Sequence, residues 1–279
     1  MEAGLPAVLA ELVRTAANEA GALALRWFRQ GEPTSARIWT KGKTSPVTEA
    51  DIEVDAFLRQ RLASAGEGFG WLSEETADSP ERLGRRDVFV VDPIDGTRAF
   101  LAGDPRWCVS IALVSDGAPV VAVVHAPALA LTYEALSGGA ALLNGAPIEV
   151  SRAASLMGAR IAGPRSMLEA LVEAGSGIAP EPKVPSLAHR LCRVADGSLA
   201  AALASGGAHD WDIAAAHLIL ERAGGRLCGL DGSAPSYNRP TTLQERLFAA
   251  PAYGFAPMLA EVRRANGLPA AARGVSQRS

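Results

Sequence analysis

Val90-Val91-Asp92-Pro93-Ile94-Asp95-Gly96-Thr97 is the stretch around which the rest of the chain is arranged. Val88 to Val91 form an apolar run that predicts a buried strand, and Pro93 breaks that run into a turn carrying two carboxylates. Pro93 cannot donate to a sheet ladder, and Gly96 tolerates backbone angles that other residues avoid. Asp92 and Asp95 therefore sit at a bend where both can converge on one point. Two converging carboxylates repel each other unless a cation lies between them. Hard divalent ions such as magnesium prefer oxygen ligands, and the backbone carbonyls of Pro93 and Ile94 in the same bend could add a neutral one. An ordinary Asp-Gly turn after a core strand is the plainer alternative, and the surrounding chain decides between the two.

The 279 residues could form one large domain or two smaller ones, and 48% apolar content is ample for a core. The 27 basic and 30 acidic residues are well interspersed and leave a net charge of -3, so neither a nucleic-acid polymer nor an anionic membrane is the expected partner. Cys108, Cys192 and Cys228 are widely spaced in apolar surroundings, which suits reduced core thiols rather than zinc ligands. The start lacks a leader pattern, and no apolar stretch approaches the roughly 20 residues that span a bilayer. A soluble cytoplasmic protein is the expectation.

Residues 6 to 30 carry apolar side chains at helical spacing, and the basic stretch from Trp39 to Pro46 reads as a loop whose Lys41 faces either solvent or an anionic substrate. Thr48 is a natural N-cap for a second helix, with Asp51 placed to complete a capping box. Phe69 to Leu72 predicts a short strand ending in the adjacent acids Glu74 and Glu75. After Thr97, Val109 to Val114, Val120 to Val124 and Leu131 to Leu136 predict an antiparallel meander. From about residue 151 elements alternate: a strand at Arg160 to Ala162, helices at Ser166 to Val172 and Leu187 to Val194, and a strand at Leu199 to Leu203, with a loop over 173 to 185. A helix then follows His209-Asp210-Trp211-Asp212, with Asp210 expected as its N-cap and Asp212 in its first turn. Phe248 to Ala250 and Met258 to Val262 predict a last strand and helix, and the tail from about Asn266 is expected to be disordered.

Singly, each of these acids has a plain explanation. Together, in order and setting, Trp71-Leu72-Ser73-Glu74-Glu75, Asp92-Pro93-Ile94-Asp95-Gly96-Thr97 and Trp211-Asp212-Ile213-Ala214-Ala215 followed by Glu221-Arg222-Ala223-Gly224-Gly225 resemble the signatures of the inositol monophosphatase superfamily over roughly residues 5 to 265. The resemblance implies an α+β sandwich with layers α/β/α/β/α. Its antiparallel sheet and most metal ligands would lie in residues 1–150, and a smaller α/β part over 151–265 would complete the site. It also implies a lithium-sensitive, magnesium-dependent phosphomonoesterase using two or three ions, a homodimer, and a small phosphorylated metabolite as substrate. Carried over by position, Glu74, Asp92 and the Ile94 carbonyl would hold one ion, and Asp92, Asp95 and Asp212 a second. Thr97, Asp51 and Glu74 would form the catalytic group, with Thr97 hydrogen-bonded to Asp51. Gly96, Thr97, Ser186, Ser205 and His209 would face phosphate or substrate, with Lys41 and Glu75 as further candidates.

Two departures bear on the substrate. Ser205 stands where many inositol monophosphatases place a glutamate that contacts inositol hydroxyls, and Pro185 replaces a typical glycine ahead of Ser186. The stretches at 45 to 51 and 71 to 75 look closer to the bacterial 3'(2'),5'-bisphosphate nucleotidase branch, while Asp92 to Phe100 also resembles the histidinol-phosphatase branch. The nucleotidase is the leading expectation, with inositol-1-monophosphatase and histidinol-phosphatase as alternatives. Dehalogenase-type phosphatases use a D-x-D spacing, whereas two residues separate Asp92 from Asp95. A regulatory protein keeping only the fold would be expected to lose metal acids first, and this chain retains the whole set.

Overall fold

The structure, a computed structural model, describes residues 5–41 and 45–268. The chain opens with α1 (Leu5–Leu25), a hairpin of β1 (Ile38–Lys41) and β2 (Ser45–Thr48), and α2 (Glu49–Leu62). Next come β3 (Gly70–Ser73), β4 (Asp87–Asp95) and the short helix α3 (Thr97–Leu101). β5 (Cys108–Ser115), β6 (Ala118–Ala126), β7 (Leu131–Leu136), β8 (Ala141–Leu143) and β9 (Ala146–Pro147) then run back and forth. The remainder alternates through β10 (Arg160–Ala162), α4 (Arg165–Glu173), β11 (Ala179–Pro180), α5 (Leu187–Ala195) and β12 (Ala201–Ala204). It closes with β13 (Ala208–His209), α6 (Asp210–Arg222), β14 (Gly225–Gly229), β15 (Leu243–Gln244), β16 (Leu247–Pro251) and α7 (Phe255–Ala265).

Strands β3 to β9 form a seven-stranded sheet in sequence order, and β11-β10-β12-β16-β14 form a five-stranded one. Successive side chains on a strand point to opposite faces, so each central strand feeds two cores. Phe89, Val91, Ile111, Leu113, Val121 and Val123 pack with Val13, Ala16 and Leu58 of α1 and α2. Their neighbours Val88, Val90, Ala112, Val114, Ala122 and Val124 face the other way, onto Leu191 and Ile213 of α5 and α6. The same middle core takes Ala202, Leu227, Leu247 and Ala249 from the five-stranded sheet. Ala201, Leu203, Cys228, Phe248 and Ala250 turn outward onto Leu168 of α4 and Met258 and Val262 of α7. The layers are therefore α/β/α/β/α. A helix between two sheets has no solvent face, and residues 213 to 220 of α6 are all buried. Its run Ile213-Ala214-Ala215-Ala216 lets both sheets approach closely.

Four expectations change. The stretch around Trp39 to Pro46 is a two-stranded hairpin, with Trp39 opposite Val47, rather than a plain loop. Lys43 and the side chain of Lys41 lie outside the described residues. The first sheet is mixed: β3 runs parallel to β4, and only from β4 onward is the pairing antiparallel. A parallel pair needs a crossover of about a dozen residues, and 74–86 supplies it. Within 173 to 185, Ala179 and Pro180 add a short parallel strand beside β10. The fourth change is at the start of α6, where His209 is the N-cap and Asp210 the first helical residue. The tail expected to be disordered lies, from residue 269, outside the described residues. No described helix is long and apolar enough to cross a membrane.

Candidate metal centre

Asp92 closes the regular part of β4, and the register with β5 shifts between Asp92 and Asp95. Pro93 causes the break because it has no N–H to give the ladder. The Ile94 N–H donates to Asp92 Oδ1 at 3.0 Å, an Asx-type turn that holds the first carboxylate in place. Gly96 follows at φ 93°, and a Cβ there would meet the backbone nitrogen of Ser186 at 3.3 Å. Both the left-handed backbone and the close approach require glycine.

Asp95 lies against the start of α5. Ser186 caps that helix: its Oγ accepts from the His189 N–H at 3.0 Å and donates to Asp95 Oδ2 at 2.6 Å. The Ala188 and Leu187 amides donate to the same carboxylate, at 2.6 and 3.3 Å. Asp212 arrives from the first turn of α6, where its Oδ2 accepts the His209 N–H at 2.6 Å. Oxygens of Asp92, Asp95 and Asp212 all lie within 4.8 Å of one another. Two carboxylates of one turn and a third from a distant helix thus meet at one point.

Their electrostatics fit a cation. Burial, then the neighbouring Glu74, Asp95 and Asp212, hold the Asp92 carboxyl well above the usual carboxylate range. Asp212 is raised by burial and by Asp95. Burial raises Asp95 too, partly offset by Ser186, the two amides and the charge of Arg190. Arg190 itself is buried and donates to the carbonyls of Val184 and Leu203, at 2.7 and 2.9 Å. An all-oxygen, clustered, strained set of carboxylates is what a hard divalent ion stabilises.

Glu74 follows β3 and its N–H donates to the Val91 carbonyl at 3.3 Å, which sets it beside Asp92. It raises both Asp92 and Asp212 but is not one of the three acids that close to within 4.8 Å. Glu75 follows it, its N–H on Ser73 Oγ at 3.4 Å. Asp55 of α2 braces this acidic turn by accepting from the hydroxyls of Ser73 and Thr76. Sequence reasoning missed Asp55; the available signal was a second acid four residues after Asp51, on the helix face that is otherwise apolar and buried. It also missed Arg190, for which one turn of an apolar helix gives no local signal.

The direct bond expected between Thr97 and Asp51 is not formed. Asp51 does complete the capping box, accepting the Thr48 N–H and hydroxyl at 2.7 and 2.6 Å, and this turns its carboxylate back along α2. Burial pushes its pKa up to about 6 in spite of those bonds. The Thr97 hydroxyl donates instead to the Ile94 carbonyl at 3.2 Å. Ser186 is fully buried against Asp95 rather than open to substrate. The His209 ring stacks on Trp211 at 4.5 Å and bonds Thr242 through Nδ1. Ser205 is exposed and lines a cleft of about 480 Å³ together with Asp95, Asp212, Arg165, Lys183 and Arg190.

Known proteins resemble this chain in sequence and in fold. The chain is 38% identical over 141 residues to a histidinol-phosphatase of Chlorobaculum parvum, a match spanning about half of each chain (50% and 52%). It is 37% identical over 213 residues to the histidinol-phosphatase of Mycobacterium tuberculosis, covering 71% of this chain and 79% of that protein. A 3'(2'),5'-bisphosphate nucleotidase CysQ of Aggregatibacter actinomycetemcomitans is 31% identical, with 77% and 82% covered. Among solved structures, the extragenic suppressor protein suhB of Bartonella henselae superposes with a TM-score of 0.79 at 25% identity, covering 95% of this chain and 98% of that one. The inositol monophosphatase family model matches residues 7–268, and the chain belongs to the inositol monophosphatase family.

Proposed function

We propose that the chain is a magnesium-dependent phosphomonoesterase acting on a nucleoside 3'(2'),5'-bisphosphate, converting 3'-phosphoadenosine 5'-phosphate to AMP and phosphate. The observation that carries the metal-dependent reaction is the convergence of Asp92, Asp95 and Asp212 within 4.8 Å, beside a cleft that Asp95 and Asp212 line. Glu74, Asp92, the Ile94 carbonyl, Asp95 and Asp212 would hold the magnesium, which supplies charge neutralisation for the phosphate and acidifies water.

The chain's own groups do the rest. Thr97 is anchored as a donor on Ile94, which leaves its oxygen lone pairs to accept from the attacking water and orient it. Asp51 acts on this centre through its charge rather than through a bond to Thr97: it is one of the acids that raise Asp92. Gly96 and Thr97 contribute main-chain N–H groups to the phosphate oxygens. Water adds to phosphorus as the ester P–O bond breaks, and the leaving oxygen takes up a proton.

The nucleotide substrate is favoured over two alternatives by what lines the cleft. An inositol ring would find Ser205, with a single hydroxyl, in place of a carboxylate acceptor. Histidinol phosphate is supported by the names of two relatives, but its ammonium group would enter a cleft that carries Arg165, Lys183 and Arg190. Phosphate release by the full chain, with and without magnesium, from 3'-phosphoadenosine 5'-phosphate, inositol 1-phosphate and histidinol phosphate tests the reading. Preference for the first supports it; preference for either other substrate replaces it.

A further inference from the structure

Arg165 and Lys183 belong to two concavities at once. They line the cleft that ends on Asp95 and Asp212, and they also line an adjoining groove of about 470 Å³ walled by Leu168, Val172 and Pro180. Apart from Asp95 and Asp212, every charged side chain of the cleft is a cation. Two of the three glutamates along the groove are already paired: Glu169 with Arg165 and Glu181 with Arg160, each at 2.7 Å.

Arg165 is held through its side chain and Lys183 through its backbone. Arg165 Nε donates to Glu169 Oε1, which fixes the plane of the guanidinium while its terminal nitrogens remain for phosphate oxygens. The Lys183 carbonyl accepts from Arg106 Nη1 at 3.1 Å, and Arg106 is itself forked onto Asp104. Asp104 and Arg106 follow α3 directly, so the segment bearing Lys183 is tied to the turn that carries Asp92 and Asp95.

We propose that Arg165 and Lys183 form a second anion-reading subsite, which selects substrates bearing a further phosphate beyond the one hydrolysed and seats their flat apolar part over Leu168, Val172 and Pro180. This specificity device rests on the phosphatase reading but not on which ester is cleaved. It acts through affinity rather than chemistry, because both cations would meet the phosphate that is not hydrolysed.

The test pairs 3'-phosphoadenosine 5'-phosphate with adenosine 3'-monophosphate, in the wild-type chain and in Arg165→Gln/Lys183→Gln. Turnover is read with magnesium and binding is read by calorimetry with calcium. In the wild type the bisphosphate is expected to have a KM and a Kd about tenfold lower than the monophosphate, and raised salt narrows the gap. The double variant loses that gap through KM rather than kcat, while Arg165→Lys/Lys183→Arg retains it. Equal affinity for the two nucleotides in the wild type, or an undiminished gap in the double variant, overturns the proposal. If neither nucleotide is hydrolysed but the binding gap is present and charge-dependent, the subsite stands and the nucleotidase reading falls.

Discussion

Asp92 and Asp95 are 1% and 6% exposed and are tied down by main-chain and hydroxyl donors, whereas across the cleft the Arg165 side chain is 91% exposed and held by one glutamate. The first wall grows from the ends of β4 and the start of α6, where backbone geometry leaves a carboxylate few alternatives. The second wall is the surface of α4 and the segment before α5. A buried wall of this kind fixes the chemistry, and a solvated wall can change its side chains without disturbing the core. Relatives of the chain carry the names of different phosphatases, a histidinol-phosphatase and a 3'(2'),5'-bisphosphate nucleotidase among them.

Substitutions on the buried wall should have the larger effects. Asp92→Asn removes a charge at the centre of the cluster, and turnover is expected to fall by about a thousandfold or more with magnesium binding lost in calorimetry. Thr97→Ala removes the oxygen that orients water, so kcat should drop about a hundredfold with KM little changed. An unchanged kcat would take Thr97 out of the reaction. Ser186→Ala removes one of the three bonds that tie Asp95 to the start of α5, leaving the Ala188 and Leu187 amides, and should weaken magnesium up to about tenfold. On the outer wall, Arg165→Gln/Lys183→Gln is expected to have the smallest effect, about tenfold in KM and only on doubly charged substrates.

Acidity sharpens the same contrast. Asp51, at about 6, and the raised Asp92, Asp95 and Asp212 hold protons more tightly folded than unfolded. Their contribution to stability is complete below the ordinary carboxylate range and is lost as pH rises through their folded values. Buried His189, pushed down to about 4, acts in the opposite sense, gaining stability as pH rises towards the usual imidazole range. It does so with or without metal. Magnesium binds the deprotonated acids, so the rise in Tm that it produces over the chelated protein should grow from about pH 5 to about pH 8. A difference that shrinks over that range would contradict the assignment of these acids as the metal ligands.

Much of the buried wall was legible in the sequence. An apolar run ending in Asp-Pro-Ile-Asp-Gly carries its own instructions, since Pro93 ends the ladder and Gly96 permits the turn. Thr48 with Asp51 is a local capping signal, and the structure bears it out. Partnerships made across the fold were not legible. Ser186 meets Asp95 from 91 positions away, and Ser73 meets Asp55 from 18, each fixed by how helices dock on sheets rather than by local pattern. The direction of β3 was also hidden, because four residues of strand look alike whether the neighbour runs parallel or antiparallel. At the start of α6 the sequence offered Asp210 as the better cap, whereas β13, paired with β15, ends at His209, which takes the cap and leaves Asp210 as the first helical residue.

The most direct test of the metal-dependent reading is phosphate release from 3'-phosphoadenosine 5'-phosphate by the purified full chain, measured with saturating magnesium and again after chelation. Release with magnesium that disappears on chelation, returns on adding the ion back, and is absent in Asp92→Asn is the predicted result. Release that continues undiminished after chelation would contradict it.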